Sequence, residues 1–551
     1  MKKHTILIVL FALSIGAFAQ YTNEVANTQT FNPTDLMSYG VKWDQSQSTP
    51  GKPAILRTGN PTLWTALPIQ SKMKRCVVRD DGSVAYYLNA TNSWNKEGVA
   101  ASVTAKNPSS LSQLPNKILS TGNFADTTIY AGNAVKNVTQ STYAVITTVH
   151  SADSVTVSMP YPTTVRKWGT TDGTTADHLI HAGIDYATLG VVAGDEVWNR
   201  TDGTYAKITN VATGDLTLTA DIMVSGERYT VYKRFVESGD VFEICTADLD
   251  GSDGQVMVEV PMFYYKYSFS GTTHSWSVSE LPLPGYEVYP WFVDTNGQVL
   301  RYRYFGAYEG YNSSGKLSSI GNVLPTTNQT RAIFRGYATT RGRIWYQQSF
   351  FALSAVQLLY LIEYASWYSQ SVIGAGATDW SSGNWTTYNA QNPMMRTGLS
   401  NKDGNVTANL SNGDNITGSY MTYRGIENLY GHIWKFTDGI NIYSQMPFVS
   451  NDQTTFGDDK KFAGYFRIGI TLPASDGYQT TLANNKYGFL PSAVGGGAAT
   501  YITDQYYQST LWRVVASGGR LNAGASAGVA CLNANGASSS AAVYLGSRLC
   551  K

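Results

Sequence analysis

The stretch from Tyr501 to Lys551 decides the expected fold and reads YITDQYYQSTLWRVVASGGRLNAGASAGVACLNANGASSSAAVYLGSRLCK. Between Ser517 and Cys550 it contains no Lys, Glu, Gln, Met or Trp, and most residues there are small. A segment so rich in Ala, Gly, Ser and Asn is often a linker. Here, however, strand-like patches at 511–515 and 543–545 bracket it, and Gly518-Gly519 is a turn signal. The pattern predicts a sheet surface of small residues that closes a domain.

Further motifs accompany this stretch in the second half of the chain. Upstream of it stand SAVQLLYLIEYASWYSQ at 354–370, YRGIEN at 423–428, GHIWKF at 431–436 and DG at 438–439. Within it stand WR at 512–513, GG at 518–519, AG at 527–528 and GSRL at 546–549. With this combination the chain resembles the variable proteins of diversity-generating retroelements, which include phage tropism determinants and bacterial surface proteins.

The resemblance implies a C-type-lectin fold of the subtype shared with formylglycine-generating enzymes. We therefore expect an α+β protein, mostly β, whose C-terminal lectin-like domain contains two helices. The expected division is a signal peptide at 1–19, a β-rich N-terminal domain at 20–102 plus 238–320, an inserted β module at 103–237 and a ligand-binding lectin-like domain at 321–551, with a variable region at about 501–550.

The start of the chain and its composition bear on where the protein acts. Lys2-Lys3 precedes the apolar run ILIVLFALSIGAF and a small-residue end at Ala19, which is the pattern of a secretory signal peptide. We expect export to the periplasm, the cell surface or the medium, and no membrane span. The chain has a net charge of +1, whereas binding to nucleic acid requires a clearly basic surface, so we expect no nucleic-acid partner.

The inserted module is predicted from its strand pattern. Between Lys167 and Arg234, apolar residues alternate with DG and GD turns, which is typical of a small antiparallel β unit. It is similar to β modules of phage structural proteins. In relatives the flanking stretches adjoin, so we interpret 103–237 as an insertion at a surface loop.

Two helices are predicted further on. The first covers 330–341 and places on one face Ile333, Phe334, Tyr337 and Ala338. The second starts at Ser354, which has capping-box spacing to Gln357, and ends at the glycines around 375. Its expected buried stripe is Val356, Leu359, Tyr360 and Tyr364.

Three patterns that carry chemistry in other proteins fit structural roles better here. The GxSxG match at 524–528 lacks a later His and acid, which a nucleophile elbow needs, so we expect no catalytic residue. The acidic stretch 248–254 has Asp253 where an EF-hand loop needs Gly, so it predicts a turn entering a strand and no metal. His432 is expected to be hydrogen-bonded structure, and the four cysteines are expected to be mainly unpaired.

The resemblance implies binding, and not catalysis. The enzyme relatives need reactive cysteines, and only Cys531 and Cys550 occur in this region, in or beside the small-residue run. The sugar-binding triplets of calcium-dependent lectins are missing from it as well. We therefore expect neither an enzyme nor a cofactor, although a secreted protein of the formylglycine-generating type or a sugar-binding one is the alternative.

In such retroelements, adenines of a template copy are randomised, and Asn codons then never become Lys, Glu, Gln, Met or Trp. Simple compositional bias would also leave these residues out. The resemblance implies a diversified ligand-binding face made by Ser509, Leu511, Arg520, Asn522, Ala523, Ser526, Asn533, Asn535 and Tyr544. The expected scaffold is Trp434, Trp512, Arg513, Gly518, Gly519 and Arg548, with both Trp side chains in the core. The expected partner is an unknown protein or glycan ligand on another cell or on a phage or host surface, and a homo-oligomer is possible.

Overall fold

The structure is a computed structural model and describes residues 36–46, 55–99, 104–106, 117–120, 124, 129, 133–140, 142–157, 165–236, 239–379, 394–401, 408–411, 417–460, 463–499 and 502–551. The predicted signal peptide lies outside these residues. The protein is α+β and mostly β. No helix in the described ranges is long and apolar enough to cross a membrane.

The first half of the described chain is built almost entirely from strands. They are β1 Tyr39–Asp44, β2 Leu56–Gly59, β3 Lys74–Val78, β4 Val84–Tyr87, β5 Thr104–Lys106, β6 Lys117–Leu119, β7 Asn133–Asn137, β8 Thr142–Ser151, β9 Ser154–Val157, β10 Val165–Thr170, β11 His178–Ile180, β12 Glu196–Asn199, β13 Tyr205–Ala212, β14 Asp215–Leu218, β15 Arg228–Tyr232 and β16 Val241–Asp248. A short helix, α1 Pro61–Ala66, follows β2.

The second half adds the other helices and the remaining strands. The helices are α2 Arg331–Arg341, α3 Phe350–Tyr364 and α4 Ser369–Ile373. The strands are β17 Gln255–Pro261, β18 Tyr264–Ser270, β19 Thr273–Ser279, β20 Glu287–Val288, β21 Tyr302–Gly306, β22 Tyr311–Ser313, β23 Lys316–Ser318, β24 Tyr346–Gln347, β25 Ala408–Ser411, β26 Thr417–Tyr420, β27 Thr422–Tyr423, β28 Ile426–Glu427, β29 Trp434–Tyr443, β30 Met446–Val449, β31 Phe466–Arg467, β32 Gly477–Leu482, β33 Pro491–Val494, β34 Gln505–Gln508, β35 Trp512–Ser517, β36 Leu532–Gly536, β37 Leu545–Gly546 and β38 Leu549–Cys550.

Two separate six-stranded sheets occupy the stretch expected to be an insertion. One has the order β5-β16-β7-β8-β9-β6 and the other β10-β15-β12-β13-β14-β11. Each sheet covers its own hydrophobic cluster. The stretch is therefore not one small module, and its first sheet includes β16, which lies beyond the expected boundary at residue 237.

In the rest of the described chain, the two largest clusters of buried apolar side chains each cross the expected domain boundary at residue 320. A six-stranded sheet of order β24-β38-β21-β17-β3-β4 joins the chain's last strand to strands from its first half. Cys550 pairs there with Phe305. The main cluster of buried side chains runs accordingly from Tyr39 to Cys550. Because strand pairing joins segments far apart in the chain, a boundary placed by sequence order does not divide this packing.

Helix α3 is the buried centre of that core. It starts at Phe350, earlier than the predicted Ser354, because the Ser349 side chain accepts a hydrogen bond from the Ala352 N–H and caps it. It ends at Tyr364, since Ala365 takes a left-handed conformation. Every residue from Phe350 to Glu363 is buried, so the helix has no single apolar stripe and is surrounded by the fold.

Helix α2 has the predicted position but only part of the predicted face. Thr330 caps its start by accepting from the Ile333 N–H. Phe334 and Ala338 are buried, whereas Ile333 is 41% exposed and turns away from the core. The helix therefore buries a narrower face than the four apolar positions of the predicted one.

Candidate ligand-binding site

The site lies on one face of the largest sheet, whose strands run β31-β30-β29-β35-β36-β34-β32-β33. Successive side chains of a strand point to opposite faces. Trp434 and Phe436 of β29 thus share a face with Val514 and Ala516 of β35, and Phe436 stands opposite Ala516 in the register. Tyr507 of β34 extends this apolar floor.

Two loops and the end of β36 raise walls around the floor and enclose a cavity of about 540 Å³. The first loop contributes Arg520, Asn522, Ala523 and Ser526. Strand β36 contributes Asn533, Asn535 and Gly536. The second loop contributes Ser540, Ala541, Ala542 and Tyr544, next to Leu545. Pockets of roughly 300–1,000 Å³ are typical of small-ligand sites.

Hydrogen bonds join the main chain of the first loop to residues outside the variable stretch. The Leu521 N–H donates to the His432 carbonyl at 3.0 Å, and the Gly524 N–H donates to the Thr378 carbonyl at 2.7 Å. The Gln370 Nε2 donates to the carbonyls of Gly524 and Ala527 at 2.8 and 2.7 Å. Main-chain anchors of this kind fix the loop whatever its exposed side chains are.

The second loop is anchored in the same way. The Trp434 N–H donates to the Tyr544 carbonyl at 2.9 Å, and the Asn328 N–H donates to the Ala542 carbonyl at 2.9 Å. Leu545 then pairs in parallel with Trp434. The wall and the floor are therefore joined through the main chain.

Gly518 and Gly519 form the turn that leads from the floor strand β35 into the first loop. Both have a left-handed backbone, with φ of 91° and 84°. A Cβ on Gly518 would lie 2.8 Å from the Leu429 carbonyl oxygen, and one on Gly519 would lie 2.6 Å from the Ala527 Cβ. Any larger residue would meet both strain and a clash at these positions.

Arg520 gives the cavity its charge. Its guanidinium lies over the Tyr544 ring, 4.1 Å from the ring centroid, and its Nε donates to the Asn522 Oδ1 at 3.1 Å. Stacking and hydrogen bonding together limit where this flexible side chain can lie. Among the described residues that line the cavity, Arg520 is the one charged side chain.

Ser526 lies at the base of the first loop in a 3₁₀ turn. Its hydroxyl donates to the Ala523 carbonyl at 2.6 Å and lies 3.5 Å from the Tyr507 hydroxyl. Burial raises the pKa of Tyr507, whose ring meets Trp434 edge-on. A short turn of this kind differs from the strand–turn–helix elbow that presents a nucleophilic serine.

The cavity brings together most of the residues predicted for the ligand-binding face. These are Arg520, Asn522, Ala523, Ser526, Asn533, Asn535 and Tyr544. Ser509 and Leu511 are not among the residues that line it. Leu511 is 63% exposed, with φ of 64°, and its carbonyl accepts from the Ser444 N–H beyond the start of β35. The Ser509 carbonyl accepts from the Gln445 Nε2 at 3.3 Å.

The predicted scaffold residues divide into two groups. Trp434 and Arg548 are buried, and Trp434 forms part of the floor in addition to its packing role. Trp512 and Arg513 are only half-buried, so the expectation that Trp512 belongs to the core is wrong. Its ring packs on Tyr443 at a centroid distance of 4.8 Å, at the outer end of the β29–β35 pair.

Sequence reasoning did not assign the rest of the floor or the second loop to the site. The floor residues Phe436, Val514 and Ala516 carry the signal of alternate apolar positions on strands β29 and β35. That alternation shows that one face is apolar. It does not show that loops leave part of this face open to a ligand.

His432 lies beside the floor strand in a buried polar cluster. The Met395 N–H donates to its Nε2 at 2.9 Å, so the proton is on Nδ1, which donates to the Glu309 Oε2 at 2.5 Å. Lys435 Nζ lies 3.1 Å from the Glu309 Oε1. Burial alone would raise the pKa of Glu309, but His432 and Lys435 outweigh it and lower it to about 2. This cluster is a hydrogen-bonded part of the fold.

The acidic stretch 248–254 is a turn that enters β17. Burial and the neighbouring Asp248 raise the pKa of Asp250 to about 6. Within the described part of the chain, no three side chains of the His, Cys, Asp or Glu type are grouped so that they could hold a metal ion. All four cysteines are buried and unlinked.

The chain has a distant structural neighbour among solved structures. No protein-family model and no curated protein matches the chain. A solved structure of a Major Tropism Determinant U1 variant is similar to it over 78% of this chain and 84% of that chain, with 12% sequence identity and a TM-score of 0.23. A likeness at this level carries no weight in the proposals below.

Proposed function

We propose that this chain is an exported ligand-binding protein and that the cavity on the β29–β35 face is its binding site. The observation that carries the proposal is the placement of the predicted positions. Residues from 520 to 544, spread over two loops and one strand, line one concave surface with an apolar floor. Concave, largely preformed sites with a few polar side chains are where ligands bind.

The proposal includes diversification of this surface. Asn522 and Asn535 are exposed, Ala523 and Asn533 are half-buried, and the main chain of the first loop is anchored by residues outside it. Substitution of such side chains alters what the cavity contacts and leaves the fold in place. A near-copy of the coding sequence for 501–550 that differs only at adenines, close to a reverse-transcriptase gene, would support this part. A locus with neither feature would contradict it.

The binding site itself is tested with purified protein on arrays of glycans, secreted proteins and whole bacterial cells. We expect Arg520→Ala and Asn533→Ala to lose targets that the unaltered protein binds. Leu511→Ala and Ser509→Ala are the matched controls, since both positions belong to the predicted face but lie outside the cavity lining. Binding that survives both cavity substitutions, or that depends on Leu511 instead, would contradict the proposal.

A further inference from the structure

The charge of the cavity points to the charge of its ligand. Arg520 is the one charged residue among the described lining residues, and the sequence from Gln505 to Lys551 contains no Asp or Glu. Asp459 accepts from the Ser538 hydroxyl at 2.8 Å but does not line the cavity. Among the described lining residues, an anionic ligand group would therefore meet one cation and no carboxylate.

The geometry of Arg520 suits a carboxylate in particular. Its guanidinium carbon lies 4.1 Å from the centroid of the Tyr544 ring, and its Nε donates to the Asn522 Oδ1. A guanidinium held in this way is preorganised, so less side-chain entropy is lost when two parallel hydrogen bonds form to a carboxylate.

The other polar groups suit hydroxyls above an apolar surface. The walls present the amides of Asn522, Asn533 and Asn535 and the hydroxyl of Ser540 above the aromatic floor. A side-chain amide both donates and accepts hydrogen bonds, as a hydroxyl partner requires. The Asn535 N–H donates to the Asn533 Oδ1 at 2.9 Å, which sets the orientation of that amide. A sugar ring offers the complementary combination of hydroxyls and apolar C–H faces.

The position of the floor disfavours an extended peptide. The strands that form it, β29, β35, β36 and β34, each have a hydrogen-bonded neighbour on both sides. None of these four described strands has an open edge, so a peptide main chain cannot add to the sheet beside them. The polar groups of the walls are then the main means of recognition, and this arrangement suits a saccharide.

From these observations we infer that the cavity binds a saccharide that carries a carboxylate, a uronic or sialic type of sugar, with Arg520 paired to the carboxylate and the Asn amides to ring hydroxyls. The inference rests on the proposed function, because it names the ligand class of the same site.

Titration calorimetry with full-length protein tests the inference. The probes are glucuronate, galacturonate, N-acetylneuraminate and their short oligomers, each beside its neutral methyl ester. We expect at least one acid to bind, and its ester to bind about ten-fold or more weakly, because a charge-assisted hydrogen-bonded pair is lost. Arg520→Ala should lose this preference, Arg520→Lys should weaken it, and Arg513→Ala should leave it unchanged.

Other outcomes separate the inference from the proposed function. Equal affinity for acid and ester, binding of an acidic peptide in place of the sugars, or binding of no acidic sugar would overturn the inference. Loss of array targets in Arg520→Ala would in each of these cases still support the cavity as a binding site. Acid binding that is unaffected by Arg520→Ala would show that the sugar binds elsewhere and would overturn the inference, whereas the proposed function is contradicted only if binding of the array targets survives both cavity substitutions or depends on Leu511.

Discussion

Replacement of Arg548 by alanine should destabilise the fold more than any change in the cavity wall. Arg548 is fully buried, and its guanidinium joins three main-chain carbonyls. Its Nη1 donates to Gly306 at 2.8 Å, and its Nη2 donates to Glu427 and Asn428 at 2.6 and 2.9 Å. It therefore connects the end of the chain to β21 and to the segment that precedes β29.

The expected magnitude follows from these contacts. A hydrogen bond to a charged group contributes about 1.5–3 kcal/mol, and alanine would leave three buried carbonyls without this donor. Relaxation and water entry recover part of that loss. Removal of one partner of a buried charged pair costs about 3–5 kcal/mol, and Glu309 and Glu427 both interact with this guanidinium. We expect the free energy of unfolding to fall by about 4 kcal/mol.

Urea denaturation followed by tryptophan fluorescence measures the effect. Free energies are compared near the midpoint, since a chain with several hydrophobic clusters can unfold in more than one step. Arg513→Ala is the matched control, because the Nε of this half-buried side chain donates to the nearby Thr510 carbonyl, and the loss of that hydrogen bond costs about 1 kcal/mol. If Arg548→Ala shifts unfolding no more than Arg513→Ala, the role of Arg548 as a carbonyl-binding link is refuted.

Three further outcomes are expected. Trp434→Ala should lower the free energy of unfolding by about 3–5 kcal/mol, and Trp512→Ala should lower it clearly less, because Trp512 is only half-buried. Thermal melting measures both changes. Equal losses of stability would contradict the assignment of Trp512 to the end of the sheet. Replacement of residues 165–232 by a short Gly-Ser link should remove one melting transition and leave the other transitions unchanged. The reason is that Val165 pairs with Tyr232, so the two ends of the segment lie side by side, and the segment has its own hydrophobic cluster. Loss of all cooperative melting would refute this prediction. Burial lowers the pKa of His274 to about 4, below the value of about 6.5 in the unfolded chain. Between these two pH values the unfolded chain binds more protons, so the free energy of unfolding should fall as the pH drops from about 6.5 to about 4. A His274→Gln variant with the same pH dependence of stability would show that His274 is not its cause.

Local signals in the sequence predicted some elements well. The position of α2 follows from Thr330 and the apolar spacing after it. The turn at Gly518 and Gly519 follows from two adjacent glycines, and both have the left-handed backbone that favours this residue. In each case, neighbouring residues in the chain determine the structure.

Other features depend on contacts between distant segments and were not predictable in this way. The half-exposure of Trp512 depends on where β29 and β35 leave the core, which its own neighbours in the chain do not reveal. The packing across residue 320 depends on strand pairs such as that of Cys550 with Phe305. The start of α3 was missed because Phe350 and Phe351 belong to a helix buried on all sides, where no stripe of apolar spacing marks the boundary.

The cavity combines a fixed frame with a replaceable lining. The frame is made by the glycine turn and by main-chain hydrogen bonds, in which the carbonyls of His432 and Thr378 accept from the first loop and the Trp434 N–H donates to the second, and none of these uses a side chain of the wall. The exposed side chains of the wall, such as Asn522 and Asn535, hold little of the fold, and exposed substitutions usually change stability by no more than about 0.5 kcal/mol. The floor differs, because Trp434 and Phe436 are buried core residues that also line the cavity. The polar groups of the wall can therefore be exchanged while the surface beneath them stays constant, which is what the proposed binding site requires.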